Sequence, residues 1–361
     1  RRLLPWFARN ARDLPWRTDP RDPYAVWISE IMLQQTRVDT VIPYFRRFLK
    51  RFPTPAALAA APLQDVLKQW EGLGYYTRAR QIHKMANLLV RHHDGTLPSD
   101  PAALAALPGL GPYTTAAIAS FAFGHPLAVL DGNVIRVLAR LLALADDITL
   151  PATRRRLQQL ADDLLPADRA AAANEAWMEL GALVCTPRNP ACAACPLRPL
   201  CRARTTSAPE TFPKRKKKMK VPHKIVGAAV ILNPKNQILI AQRCPEKGML
   251  AGLWEFPGGK RADGETMPQC IARELREEMG IEIEVGPHLV TVPHAYSHFT
   301  IDLHAHFARI RKGRPRHIEC AGHAWVTPGQ FDDYPFSKAD HGIIRALRAL
   351  PRPPRLRDFF A

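Results

Sequence analysis

The chain has 361 residues, 47% hydrophobic and 23% charged, the balance of a globular protein of two or three domains. No run of about 18 uninterrupted apolar residues occurs, which excludes a membrane-spanning helix, and residues 1–10 lack the apolar stretch of a secretory signal. The net charge is +18, from 51 Lys+Arg against 33 Asp+Glu, and implies a polyanionic partner.

Residues 1–205 read as an all-α domain. Between Val26 and Phe52 the apolar positions Ile28, Ile31, Met32, Val38, Val41, Ile42, Phe45 and Phe48 recur every three or four residues, the period of an amphipathic helix. Pro43 begins or kinks a second helix there. Ala- and Leu-rich stretches follow at 56–70, 101–107, 114–122 and 170–184, separated by Gly or Pro. Residues 206–224 read as a basic linker, with Pro209, Pro213 and Pro222 around the run Lys214 to Lys220. Either it is a solvated tether or a strap that touches phosphates. From Ile225 the pattern changes to α+β: strands at 226–232 and 238–240 around an Asn-Pro-Lys-Asn turn, a helix at about 266–279, then strands near 281–285, 288–294 and 299–310. This second domain spans 225–345 and leaves 346–361 as a tail. The charge is uneven: 26 basic and 17 acidic residues in 1–205, seven and one in 206–224, eighteen and fifteen beyond. The polyanion therefore meets the first two regions.

Four cysteines, Cys185, Cys192, Cys195 and Cys201, fall within 17 residues in the spacing C-x6-C-x2-C-x5-C. Thiolates gathered so tightly suit a soft metal centre. One loop wrapped round one object fits an iron–sulfur cluster better than the two spread pairs of a zinc site. With no secretory segment, seven cysteines point to a reducing compartment rather than a disulfide framework. The turn Leu107-Pro108-Gly109-Leu110-Gly111-Pro112 leads into a helix whose N-terminus can face a phosphate. Asp131, in Leu130-Asp131-Gly132-Asn133-Val134, is either a helix N-cap or a catalytic carboxylate. Glu30 has apolar helical neighbours, Val26, Trp27 and Leu33. It is either a surface position or a desolvated acid able to donate a proton near neutral pH.

Taken in order, these motifs resemble the helix–hairpin–helix DNA glycosylases that carry an iron–sulfur loop, and within them the adenine glycosylase (MutY) branch. Leu14-Pro15-Trp16-Arg17, Ser29 to Thr36, Gly72-Leu73-Gly74-Tyr75-Tyr76, the hairpin, Leu130 to Val134 and the cysteines all match. The resemblance implies a [4Fe–4S] cluster, double-stranded DNA as partner and a target adenine flipped into a pocket. It implies Glu30 as the acid that protonates adenine N7 and Asp131 as the anion that stabilises an oxocarbenium-like sugar. Tyr113 stands where bifunctional relatives have a lysine, and Ile135 offers no substitute amine, so a monofunctional glycosylase without efficient strand cleavage is expected. Tyr113, Asn133 and Glu175 match pocket positions, and Arg12 matches a base contact. Gln35 and Tyr75 match wedge residues, and Gly109 and Gly111 belong to the DNA-contacting hairpin.

In the second half, Gly259-x5-Glu265-x7-Arg273-Glu274-Leu275-x-Glu277-Glu278-x-Gly280-Ile281 fits the Nudix box at every defined position. Glu274, Glu277 and Glu278 share one helix face, suited to Mg²⁺. Residues 225–345 resemble the MutT-type 8-oxo-dGTP pyrophosphatases. Adenine glycosylases end in a domain of this fold that reads 8-oxoguanine, usually with a degraded box. Here the box is intact, and Glu319 sits near a further acidic ligand. The domain is thus a lesion reader on a retained scaffold, or also a nucleotide hydrolase. The resemblance assigns lesion reading to Tyr296, Ser297 and His298, with Tyr296 in place of the usual Phe. The alternating strand pattern explains His304 and His306 without a metal. The whole chain is expected to act as a monomer, in the bacterial-type cytoplasm at the nucleoid, on adenine mispaired with 8-oxoguanine, with replication or repair proteins as further partners.

Overall fold

Nine consecutive residues of the second helix, Tyr24 to Met32, are buried, and the helical half is organised round this element. The protein is described from a computed structural model covering residues 2–205, 208–216, 221–245 and 248–360. Its helices before the first strand are α1 (Leu3–Asn10), α2 (Pro23–Leu33), α3 (Val38–Arg51), α4 (Pro55–Ala60), α5 (Leu63–Trp70), α6 (Thr77–His92), α7 (Pro101–Ala105), α8 (Pro112–Phe123), α9 (Gly132–Leu142), α10 (Pro151–Asp163), α11 (Ala170–Leu183) and α12 (Arg202–Thr205). The chain divides into two compact units, Arg1–Ala60 with Lys84–Lys218, and Ala61–His83 with Met219–Ala361.

In the first unit α2 is apolar on every side apart from Ser29 and Glu30, as suits a helix enclosed by others. It packs against α3 and α8, while α11 packs against α1, α8 and α9. Asp22 accepts the Tyr24 N–H and Pro23 takes the first helical position, which fixes where α2 starts. The helix ends where Gln35 turns left-handed, at φ 59°. Pro43 lies inside α3 rather than at its start. Within the expected linker, the described residues Phe212 and Lys214 are held in place. The Ile148 N–H donates to Lys214 O at 3.1 Å, and Arg140 Nε donates to Phe212 O at 3.2 Å. Residues 217–220 of the basic run lie outside the described residues.

In the second unit, β1 (His223–Ile231), β5 (Thr300–Lys312) and β4 (Glu282–Ala295) form one sheet in the order β1-β5-β4. β3 (Trp254–Glu255), β2 (Ile238–Arg243) and β6 (Cys320–Val326) form the other. β1 runs parallel to β5, and Ala228 to Leu232 are all buried because both of its faces are covered. Ala229 and Ile231 face Ile271, Leu275 and Met279 of α13 (Met267–Met279). Ala228, Val230 and Leu232 face Ile343, Ile344 and Leu347 of α14 (Asp340–Arg348). A Thr266/Gln269 capping box starts α13, and left-handed Gly280 ends it. The expected 281–285 and 288–294 strands are one strand, β4, with register shifts between Val285 and Val290. The expected tail is packed: α14 runs through residue 346, and Phe359 stacks on Phe307 with ring centroids 3.7 Å apart. Residues 61–83, read from sequence as part of the helical domain, are fastened within this unit. Glu71 accepts the Phe336 N–H at 2.7 Å and a hydrogen bond from His341 at 2.9 Å.

Candidate active site

A cleft of about 980 Å³ in the first unit is lined by Arg12, Glu30, Gln35, Gly111, Tyr113, Asp131, Asn133 and Glu175, all singled out from the sequence. Because α2 is enclosed, Glu30 is only 4% exposed. Burial pushes its carboxyl up to about 7, with Asp131 and Glu175 adding to the rise and Tyr113 and Arg17 opposing it. The Tyr113 hydroxyl donates to Glu30 Oε2 at 2.8 Å. Burial and the two nearby carboxylates push that phenol well above its usual range, so it keeps its proton.

Asp131 is the N-cap of α9, and the two readings of it are compatible in space. Its Oδ1 accepts the Val134 N–H at 2.7 Å and its Oδ2 accepts from Asn133 Nδ2 at 2.7 Å. Burial pushes its carboxyl up and these hydrogen bonds push it back down. Asn174, buried on α11, holds the approach to Asp131. It accepts the Val129 N–H at 3.1 Å and donates to Leu127 O and Ser120 Oγ.

Two carboxylates of α11 and three arginines of the N-terminal segment form a lattice on the cleft wall. Glu175 binds Arg17 at 3.0 Å and Arg21 at 2.9 Å. Glu179 binds Arg12 at 2.8 Å and Arg17 at 3.2 Å. Sequence reasoning missed Arg17, Arg21 and Glu179 as site residues. The available signal was Glu175-x3-Glu179, two carboxylates on one face of an otherwise apolar helix.

Gly109 adopts φ 86° in the hairpin turn, a conformation that favours glycine, and Gly111 caps α8 without a side-chain acceptor. Amides of that first turn are thus left for an external acceptor.

The four cysteines surround a small cavity shared with Arg140, Arg198 and Arg204. Among the described residues no three His, Cys, Asp or Glu side chains are grouped to hold a single metal ion. The C-x6-C-x2-C-x5-C spacing of the four thiols suits a polynuclear cluster better than one tetrahedral zinc. Burial pushes the Cys185 and Cys195 thiols up, so thiolates there call for positive partners. Arg140 is one, 3.4 Å from Cys185 Sγ. Arg136 ties the loop to the cleft, donating to Cys185 O at 2.7 Å and to Asn133 Oδ1 at 2.9 Å.

In the second unit Tyr75 directly follows a turn with left-handed Gly72 and Gly74, is itself at φ 51° and 41% exposed, and lies under the Arg78 guanidinium. Ser297 and His298 are exposed in the turn after β4. Tyr296 is half-buried against His294 and Phe299. Of the box carboxylates, Glu274 and Glu277 each bind Arg273 at 3.0 Å, and Arg273 also binds Glu265. Glu278 is pushed up to about 8, chiefly by burial and by Glu255 and Glu274. Gly259 leaves room for the Glu274 carboxylate, which a Cβ would strike.

No helix of the described residues is long and apolar enough to cross a membrane. Family models match residues 28–163 (HhH-GPD superfamily base excision DNA repair protein), 185–201 (iron–sulfur binding domain of endonuclease III) and 227–346 (NUDIX domain). The chain therefore carries an iron–sulfur cluster loop between a helical glycosylase domain and a Nudix-type α+β domain. Among solved structures, a thermostable thymine-DNA glycosylase is similar at 29% identity and a TM-score of 0.52, covering 56% of this chain and 94% of its own. The adenine DNA glycosylase of Buchnera aphidicola subsp. Baizongia pistaciae is 38% identical over 70% of this chain and 70% of its own length. The human adenine DNA glycosylase is 35% identical over 96% of this chain and 73% of its own length. By that likeness along both domains, the chain belongs to the adenine DNA glycosylase family, enzymes of base excision repair that hydrolyse N-glycosidic bonds in DNA.

Proposed function

We propose that the enzyme excises adenine paired with 8-oxoguanine, or guanine, in duplex DNA and leaves the strand uncut. The observation that carries this reading is the carboxyl of Glu30. It is buried, poised near pH 7, bonded to Tyr113 and in one cleft with Asp131. An adenine flipped into the cleft would take the Glu30 proton at N7, which makes it a better leaving group. Asp131, held by Val134 and Asn133, would face the positive charge that develops on the sugar. Water then attacks C1′. Tyr113 has no amine to form a Schiff base, and no lysine is among the described residues lining the cleft, which supports a monofunctional reaction.

In this reading Arg12 and Glu175 meet the base, and Gly109 and Gly111 approach the phosphates. Gln35 and Tyr75 fill the stack, and Tyr296, Ser297 and His298 read the lesion. Cys185, Cys192, Cys195 and Cys201 ligate the [4Fe–4S] cluster, which supplies structure and charge to the loop. The Nudix-type unit serves recognition. Its box carboxylates Glu274 and Glu277 are held by Arg273, and Mg²⁺-dependent hydrolysis of an oxidised nucleotide is the second reading that the intact box carries. The enzyme works as a monomer on chromosomal DNA, in a reducing compartment suited to its free cysteines. The test is release of free adenine from a duplex with adenine opposite 8-oxoguanine, beside adenine opposite thymine and the Glu30→Gln variant. No release by the parent, or full release by Glu30→Gln, would refute it.

A further inference from the structure

We propose that Glu179 is a positioning residue for excision: it clamps Arg12 and Arg17 in the cleft wall and keeps the positive charge of Arg17 from Glu30. The inference rests on the reading of Glu30 as the general acid. Glu179 is 1% exposed and lies one helical turn beyond Glu175 on α11. Its Oε1 accepts the Arg12 backbone N–H at 2.8 Å and Arg12 Nε at 2.9 Å. Its Oε2 accepts Arg12 Nη2 at 2.8 Å and Arg17 Nη2 at 3.2 Å. Four donors engage both oxygens, so this carboxylate serves the arginines rather than the base.

Arg17 completes the clamp by donating Nη1 to Arg12 O at 2.9 Å. Three arginines and two glutamates thus leave the wall with a single excess positive charge. The groups that act on Glu30 from the surrounding elements are Tyr113 of α8, Asp131 before α9, Glu175 of α11 and Arg17 of the N-terminal segment. Loss of the Glu179 charge would leave the guanidiniums undercompensated beside an acid that must hold its proton. A positive neighbour favours the carboxylate, so Glu30 would ionise at lower pH.

The experiment is the pH dependence of single-turnover adenine excision by the full chain, with cluster absorbance and Tm as fold controls. Glu179→Gln keeps the shape and removes the charge. We expect its alkaline limb to move down by about one pH unit, making it about tenfold slower at pH 8 yet close to the parent near pH 5. Binding to a duplex carrying uncleavable 2′-fluoro-adenosine should stay within about threefold. Glu179→Asp, which keeps the charge, should restore the limb. Arg17→Gln, which removes the cation that acts on Glu30, should move it the opposite way, and this arm stands even if Glu179→Gln fails to fold. A folded Glu179→Gln with an unmoved limb, an equal shift in Glu179→Asp, or a downward shift in Arg17→Gln would each overturn the proposal. Full excision by Glu30→Gln would instead overturn the general-acid reading itself.

Discussion

The Tyr113 hydroxyl donates to Glu30 Oε2 across 2.8 Å and so joins α8 to the enclosed helix α2. That bond favours the carboxylate and partly offsets the burial that pushes the carboxyl up. In Tyr113→Phe the burial acts unopposed by it, and Glu30 should hold its proton to higher pH. We expect the alkaline limb of the excision rate to move upward, read by single-turnover kinetics across pH. An unmoved limb would mean that the phenol does not set the acid's ionisation.

The same burial has a cost in stability. An unfolded chain ionises Glu30 from about pH 4.5, whereas the folded chain holds the proton until about pH 7. The stability contribution is therefore intact below pH 4.5, is lost through the window from 4.5 to 7, and stays lost above it. Glu30→Gln removes the penalty along with the acid. It should be inactive yet more stable than the parent at pH 8, by at most about 3 kcal/mol, and equal to it near pH 4. Denaturant midpoints at the two pH values check this.

Arg140 is 2% exposed and donates to Thr186 O at 2.7 Å, Pro187 O at 3.0 Å and Phe212 O at 3.2 Å. Arg140→Met fills most of the volume but strands three carbonyls, at a cost of about 1–3 kcal/mol for each one left buried. It also removes the cation beside Cys185. We expect a lower Tm and a lower ratio of iron to protein, with the metal lost before the helical circular dichroism. Parent-like iron content would show that the loop is organised by the cysteines alone.

The described start of the basic run is anchored, since Lys214 O accepts the Ile148 N–H and Lys214 Nζ lies over the Phe212 ring. Neutralising Arg215 and Lys216, both exposed beside that anchor, should weaken binding to duplexes of any sequence. The slope of log affinity against log salt should fall by about 0.9 for each phosphate that the variant no longer neutralises. A parallel salt dependence would make the run a connector that leaves the phosphates untouched.

The helical core was legible because α2, α8 and α11 announce themselves by apolar period or by Ala-rich composition between Gly and Pro. α10, with Arg154, Arg155 and Arg156 in its first turns, has no such stripe and was not anticipated. In the cleft, residues within a local motif could be read: Glu30, Tyr113, Asp131 and Asn133. The arginine–glutamate lattice could not, because Arg17 and Glu175 are 158 residues apart and nothing local couples them. The anchoring of residues 61–83 by Glu71 to Phe336 and His341 was hidden for the same reason. β6 escaped because it is a short, partly exposed strand, whereas α14 carried a usable helical period in Ile343, Ile344 and Leu347 that the sequence reading passed over.

Gly181, on α11, faces the first turn of α9. A Cβ there would lie 2.5 Å from Asn133 Cβ and 3.1 Å from its Cα, so the backbone of α9 has to move. Gly181 O also accepts Arg136 Nη2 at 2.7 Å, which fixes the two helices to each other at this point. In Gly181→Ala two effects compete. Helix propensity favours Ala by about 1 kcal/mol, while overpacking against backbone costs about 1–3 kcal/mol. Net stability should fall by about 0–2 kcal/mol. Activity is more exposed, because Asn133 holds Asp131 Oδ2 at 2.7 Å and moves with that turn. A displacement on the order of 1 Å at a catalytic group costs about a hundredfold in rate. We therefore expect excision to fall tenfold or more, on the order of that penalty, out of proportion to the fall in Tm and with little change in affinity for an uncleavable duplex. A variant that loses stability but not rate would place the tolerance of this packing in Asn133 and leave Asp131 undisturbed.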